Sequence, residues 1–303
     1  MKILKDEDYF GYDYLDTQHA VARSTGEVVK VAWVQVPWGS VLYTPEDQAY
    51  YKMRKEKESK EKISRRENKS LGNFFFINSE HTYDDLASQD MIRLVYLGTF
   101  IPYGERVLKR GNKKMRKEDL KKELGLPETT FFRFWHNVID KYLFEDEEGH
   151  IFLSKDFKRG KKNGRNKRVM CQKVYIKAVR DLYRGCPISK HKYLGRIFKL
   201  LPYINVEHNI LCHAPYENDW NYIQQMTLDE FCEKIGVSKE NRMRVLKDYA
   251  KIKFPVGDHE ELACAFVFAE NDKSDMRIII NPRILYRGNT WDKGMLIEAF
   301  LDR

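Results

Sequence analysis

Two stretches of the chain carry arginine, asparagine, threonine and lysine at helical spacing, the residue types that hydrogen-bond to the flat polar edges of bases. In Pro127 to Ile139, the outward positions are Thr129, Thr130, Arg133, His136 and Asn137. In Ser238 to Ala250, they are Lys239, Asn241, Arg242, Arg244 and Lys247. A guanidinium can donate two parallel hydrogen bonds to O6 and N7 of guanine, and a carboxamide can pair with N6 and N7 of adenine. Outward is defined here by the apolar periodicity. Phe132, Trp135 and Ile139 are read as the inner face of the first stretch, and Met243, Leu246 and Ala250 as that of the second. Phe131 and Phe134 exceed what one buried face needs, and are read as a contact to the rest of the chain or to another protein.

The elements that must position these side chains occur twice. One copy runs from Leu94 through Pro102-Tyr103 and Met115–Phe144 to His150–Gly160. The other runs from Ile197 through Pro202-Tyr203 and Met226–Phe254 to Arg277–Gly288. Gly125 falls on Gly236, Leu120 on Phe231, Phe132 on Met243 and Arg133 on Arg244. Order kept over such a length says that one structural unit is used twice. Each copy reads as a helix ended by glycine, a second helix opened by Pro127 or capped by Ser238, and then a β-hairpin. That grammar is the winged form of the helix-turn-helix, whose second helix enters the major groove. The hairpin strands are expected at Ile151–Leu153, after the acidic turn Glu145–Gly149, and at Leu262–Phe268 with Met276–Ile280.

The formal net charge of +9 suits a polyanionic partner. Much of it lies in Phe157–Arg168, which holds Lys158, Arg159, Lys161, Lys162, Arg165, Lys167 and Arg168 and no acid. These residues, with Lys273 and Arg277 in the second copy, are expected to hold phosphates or reach the minor groove. Val28–Val36 alternates as a strand does, Gln48–Ser70 is densely charged, and Phe74–Ile77 reads as a short strand. Lys173–Tyr183 reads as a connector helix, and Met295–Leu301 as an apolar tail that packs on the second copy or forms a dimer contact.

Other chemistries lack their motifs. There is no phosphate-binding Gly-x-x-x-x-Gly-Lys-Ser/Thr loop. No His-hydrophobic-His pair or zinc spacing accompanies Cys212, His213 and His208. Five widely spaced cysteines fit a reducing cytoplasm and not a disulfide framework. No span of 18 apolar residues occurs, so a soluble, cytoplasmic protein without membrane, metal or cofactor is expected.

Leu200–Tyr203 before the helix-turn-helix, and Ile280-Asn-Pro-Arg-Ile-Leu-Tyr-Arg-Gly288 after it, resemble winged-helix replication and regulatory proteins of Firmicutes phages and plasmids. Two such units in one chain are similar in layout to the initiators of theta-replicating plasmids. The resemblance implies sequence-specific binding of double-stranded DNA at an origin or operator, with a helicase loader as a further partner and a homodimer as one form. Transcription regulation is the alternative role, and a protein-interaction module with one non-binding winged helix is a third. The expected fold is α+β, mainly α: an N-terminal extension with strands (1–84), a first winged helix (85–160), a basic linker and connector (161–190), a second winged helix (191–289) and a tail (290–303).

Overall fold

The computed structural model describes residues 12–14, 19–22, 28–30, 52–55, 59, 71–160, 171–217, 219–268, 276–287 and 300. Helices and small antiparallel sheets are mixed along the chain, which divides into two compact units, 1–63 and 64–303. The first unit contains an antiparallel sheet of β1 (Tyr12–Tyr14), β2 (His19–Ala22) and β3 (Val28–Lys30) in sequence order. The remainder of the strand expected over Val28–Val36 lies outside the described residues.

In the second unit, four short strands form a sheet of order β15-β10-β4-β9. They are β4 (Phe74–Asn78), β9 (Phe157–Lys158), β10 (Cys171–Tyr175) and β15 (Leu285–Tyr286). β4 leads into the first copy and β9 closes it; β10 and β15 do the same for the second. Phe75 and Ile77 are buried while their neighbours are half-buried, the period-two pattern of a strand with one face on the core. Registers match between the copies. Phe76 pairs with Lys158 and Ile77 with Phe157, as Lys173 pairs with Tyr286 and Val174 with Leu285. Phe76 and Lys173 are thus equivalent, and they also face each other across the antiparallel β4–β10 pair. Equivalent residues paired with each other mark a local two-fold axis, as in a self-complementary dimer interface.

The helices obey the same relation. α1 (Ser88–Gly98), buried from Asp90 to Gly98, packs on its counterpart α5 (His191–Lys199). They run antiparallel: Lys199 Nζ donates to the Leu86 carbonyl at 2.7 Å, and His191 lies near Arg93. Gly195 is needed at the crossing, since a Cβ there would sit 1.5 Å from the Ser88 carbonyl oxygen. One apolar core runs through both copies, from Phe75, Leu94 and Phe134 to Phe198, Phe231 and Tyr249. Both expected winged helices therefore lie within one compact unit. The connector differs from expectation: Lys173–Tyr175 are strand residues of β10, and the helix α4 (Ile176–Gly185) begins only after them.

In the first copy, α1 is followed by the hairpin β5 (Lys109–Arg110) and β6 (Lys113–Lys114), then α2 (Lys117–Leu124), α3 (Glu128–Val138) and the hairpin β7 (Leu143–Glu145) and β8 (Ile151–Leu153). Val107 bridges Phe152, adding a third strand position beside β8. Gly125 ends α2 at φ 60°, a conformation glycine adopts without penalty. The second copy continues from α5 to α6 (Leu228–Lys234), a 3-10 turn (Lys239–Asn241) and α7 (Arg242–Tyr249). Thr227 and Glu230 form a reciprocal cap on α6. A hairpin beyond those expected, β11 (Lys253–Val256) with β12 (His259–Leu262), precedes β13 (Cys264–Phe268) and β14 (Met276–Ile280).

The Asn281-Pro282-Arg283 segment is a structural knot. Asn281 is buried, donates to Glu261 Oε2 and to the Leu262 carbonyl at 2.9 Å, and accepts from the Arg283 backbone. Arg283 Nε donates to both Glu261 oxygens at 3.0 and 3.1 Å. The turn thereby locks β15 onto β12, where a buried carboxylate requires such partners.

Candidate nucleic-acid interface

The inner faces of α3 and α7 are rotated by one residue from the sequence reading. Phe131, Phe134, Trp135 and Val138 are buried on α3, whereas Phe132 is 49% exposed. Val245 and Tyr249 are buried on α7, Leu246 is half-buried, and Met243 and Ala250 are exposed. Phe131 and Phe134 are therefore core residues and not a protein contact. The reason is a surplus of apolar residues in Phe131–Trp135, which allows two helical phases of similar hydrophobicity. Tertiary packing selects the phase in which Phe131 stacks on Trp135 and Arg93 lies over the Phe134 ring.

The outward sets survive this rotation. Thr129, Arg133, His136 and Asn137 are exposed and Thr130 is half-buried. Lys239, Asn241, Arg242, Arg244 and Lys247 are exposed, the first two on the 3-10 turn before α7. Not all have the same freedom. Asn137 Nδ2 donates to Asp90 Oδ2 at 3.1 Å, and Asp90, itself buried, is paired with Arg93 at 2.7 Å. In the second copy, the Asp248 carboxylate faces the Tyr193 hydroxyl and holds that phenol above its ordinary range. Asn137 and Asp248 are equivalent, as are Asp90 and Tyr193. Each copy thus ties its third helix to its first at the same place, and Asn137 has a structural task that the sequence reading did not give it. Arg242 and Lys239 lie 3.5 and 3.8 Å from Asp229, and Arg244 lies 3.9 Å from Asp248. Asn241 Nδ2 donates to Ser238 Oγ at 2.8 Å. Exposed pairs of this kind are worth about 0–1 kcal/mol, so the cations can exchange an acid for another anion.

The residues expected on wings are placed differently. Lys158 lies in β9 at the edge of the four-stranded sheet, paired with Phe76. Arg159 donates to the Ile101 carbonyl at 3.2 Å, and its own carbonyl accepts from Gly104. Both are half-buried, because the chain returns to the shared sheet immediately after β8. The tip of the β7–β8 hairpin carries Asp146, Glu147 and Glu148, with Asp146 held below the ordinary carboxylate range by the His150 backbone N–H. Arg277 lies in β14 with its guanidinium 4.8 Å from the Trp220 ring centre. Lys161, Lys162, Arg165, Lys167, Arg168 and Lys273 lie outside the described residues.

A basic element was missed. Between Arg106 and Lys117 the chain has seven cations and no acid. The structure folds this segment into the β5–β6 hairpin and the start of α2, with a tip at Gly111-Asn112. The signal is a glycine-asparagine pair between Arg110 and Lys113, a hairpin turn pattern. Among the described residues, no helix is long and apolar enough to cross a membrane, and no group of three His, Cys, Asp or Glu could hold a metal ion. Comparison with family models, with curated proteins and with solved structures gave no match.

Proposed function

We propose that residues 64–303 form a sequence-specific duplex DNA-binding unit in which both copies are winged helices. The observation that carries this reading is the paired exposure of Arg133 on α3 and Arg244 on α7, at equivalent positions of helices that are the second in their helix-turn-helix and are each tied to the first helix of their copy. Such a helix, with cations and small polar groups outward and an apolar face locked into the core, is what major-groove insertion requires. The local two-fold adds a restriction. Two recognition helices related by a dyad read half-sites that run in opposite directions, so the target is an imperfect inverted repeat. The narrower role at a replication origin rests on the resemblance of the unit edges. The Asn-Pro-Arg segment contributes structure to that resemblance and no contact, being spent on Glu261.

Selection of bound sequences from a random duplex library, using the full chain, tests the reading. An inverted, non-identical pair of half-sites is expected. Arg133→Ala and Arg244→Ala should each cost on the order of 1–3 kcal/mol and relax preference in different half-sites. No enriched sequence, or variants that select the parental site unchanged, would refute it.

A further inference from the structure

Cross-strand charge in the β5–β6 hairpin runs against its own stability. Lys109 faces Lys114 and Arg110 faces Lys113, so both residue pairs of the ladder oppose like charges. Like charges directly opposite are destabilising, and the hairpin is held against them at its base, where Leu108 and Met115 are buried and bonded through their backbone to Ile151 of β8. The nearby acids only partly offset this. Lys109 bonds to Glu105 at 2.8 Å, Arg110 to Glu123 at 3.0 Å and Lys113 lies 3.5 Å from Asp119. Glu123 is shared with Arg184 at 3.8 Å, and Asp119 is spent on the Arg116 backbone N–H, which holds its carboxyl below the ordinary range. Glu118 lies beside Asp119 on the first turn of α2. Arg110 and Lys113 keep 73% and 76% of their side-chain surface exposed, and Lys114 and Arg116 are exposed as well.

The fold pairs Lys109, Arg110 and Lys113 with one acid each, yet it still sets like charges opposite each other in both pairs of the ladder; a polyanion laid across the hairpin would offset that. On the DNA-binding reading above, the conventional wing cannot take that place, since the β7–β8 tip is acidic. We infer that the β5–β6 hairpin, with Arg116 at the start of α2, is the phosphate-contacting element of the first copy, gripping the DNA backbone beside the groove that α3 enters. The second copy has no basic counterpart: the equivalent segment, between Leu211 and Met226, holds no lysine or arginine, and among its described residues Tyr216, Trp220 and Tyr222 are exposed at 47, 40 and 71%. The two half-sites are therefore held unequally, with the stronger electrostatic grip on the half-site read by Arg133.

The test is the salt dependence of binding to a selected duplex and to random duplex, for the full chain and for the triple variant Lys113→Gln, Lys114→Gln, Arg116→Gln. Each phosphate contact contributes about 0.9 to the slope of log K against log salt. The variant should lose about 2–3 from the slope on both duplexes and keep the selected sequence. Its melting temperature without DNA should be unchanged or higher, because both opposed pairs lose a charge. A control with the same net charge, Lys177→Gln, Lys192→Gln, Lys251→Gln, should lose less than 1. A triple variant that keeps the parental slope, or a control that loses as much, overturns the assignment. If the parent itself shows no salt-dependent duplex binding, the DNA-binding reading fails first, and that outcome is separate from the other two.

Discussion

Gly195→Ala tests the contact on which the paired architecture depends. In an isolated helix the change is favourable by about 1 kcal/mol, because glycine costs backbone entropy. In α5 an added methyl would lie 1.5 Å from the Ser88 carbonyl oxygen and 2.4 Å from its carbon, where real Cβ contacts stay beyond 3.0 Å. The obstacle is backbone, so no side chain can rotate away. The helices must separate by roughly 1.5 Å, which loosens Leu94, Leu194 and Phe198 from a close-packed core. Overpacking costs about 1–3 kcal/mol where side chains can shift, and more where they cannot. A net loss on the order of 2–4 kcal/mol is expected, or a fall in melting temperature of roughly 5–15 °C at 2–4 °C per kcal/mol. The matched control is Gly185→Ala at the end of α4, where a Cβ meets nothing within 4 Å. It should be neutral or stabilising by a few tenths of a kcal/mol. Urea and thermal unfolding of both variants decide the matter. Equal stabilities for the two would refute the close crossing of α1 and α5.

Three further outcomes are expected. Glu261→Ala removes the buried carboxylate that Asn281 and Arg283 share, while Asn281 keeps its bond to the Leu262 carbonyl; a loss of about 2–3 kcal/mol in urea unfolding is expected, and an unchanged midpoint contradicts the knot. Asn137→Ala should cost roughly 1 kcal/mol through the bond to Asp90 and leave the selected base sequence unaltered, whereas a relaxed sequence would make Asn137 a base reader after all. Burial pushes His191 below its ordinary value, so the unfolded chain binds the proton more readily than the folded one. The histidine's contribution is then fully present above about pH 6.5 and is lost as pH falls below it. Thermal stability should drop as the pH falls below about 6.5, and less steeply in His191→Gln; parallel profiles for the two proteins would count against it.

Much of the arrangement was legible because duplication repeats its errors and its signals alike. Gly125 and Gly236 marked both helix ends, and both turns form where glycine must take positive φ. Phe74–Ile77 and Ile151–Leu153 read as strands and are strands. What periodicity could not fix was the phase of α3: five apolar residues in Phe131–Trp135 and Val138 satisfy two faces, and only contact with Arg93 and the core chooses between them. Nor could local sequence show the four-stranded sheet. Its strands are two to five residues long and come from four separated segments, so their pairing is a long-range event without local pattern. That sheet moved Lys158 and Arg159 from an expected wing to an edge. The basic hairpin is hidden by the equally cationic run at Phe157–Arg168, although the apolar Val107, Leu108 and Met115 at its base mark it as folded.

The central claim is that one chain presents two recognition helices about a local dyad to duplex DNA. Hydroxyl-radical footprinting of the full chain on its selected site tests this most directly. Two protected segments are predicted, with inverted sequence, centred about one helical turn or roughly 34 Å apart. Arg133→Ala should weaken one segment and Arg244→Ala the other. A single protected segment, two segments in direct orientation, or protection insensitive to both substitutions would contradict it.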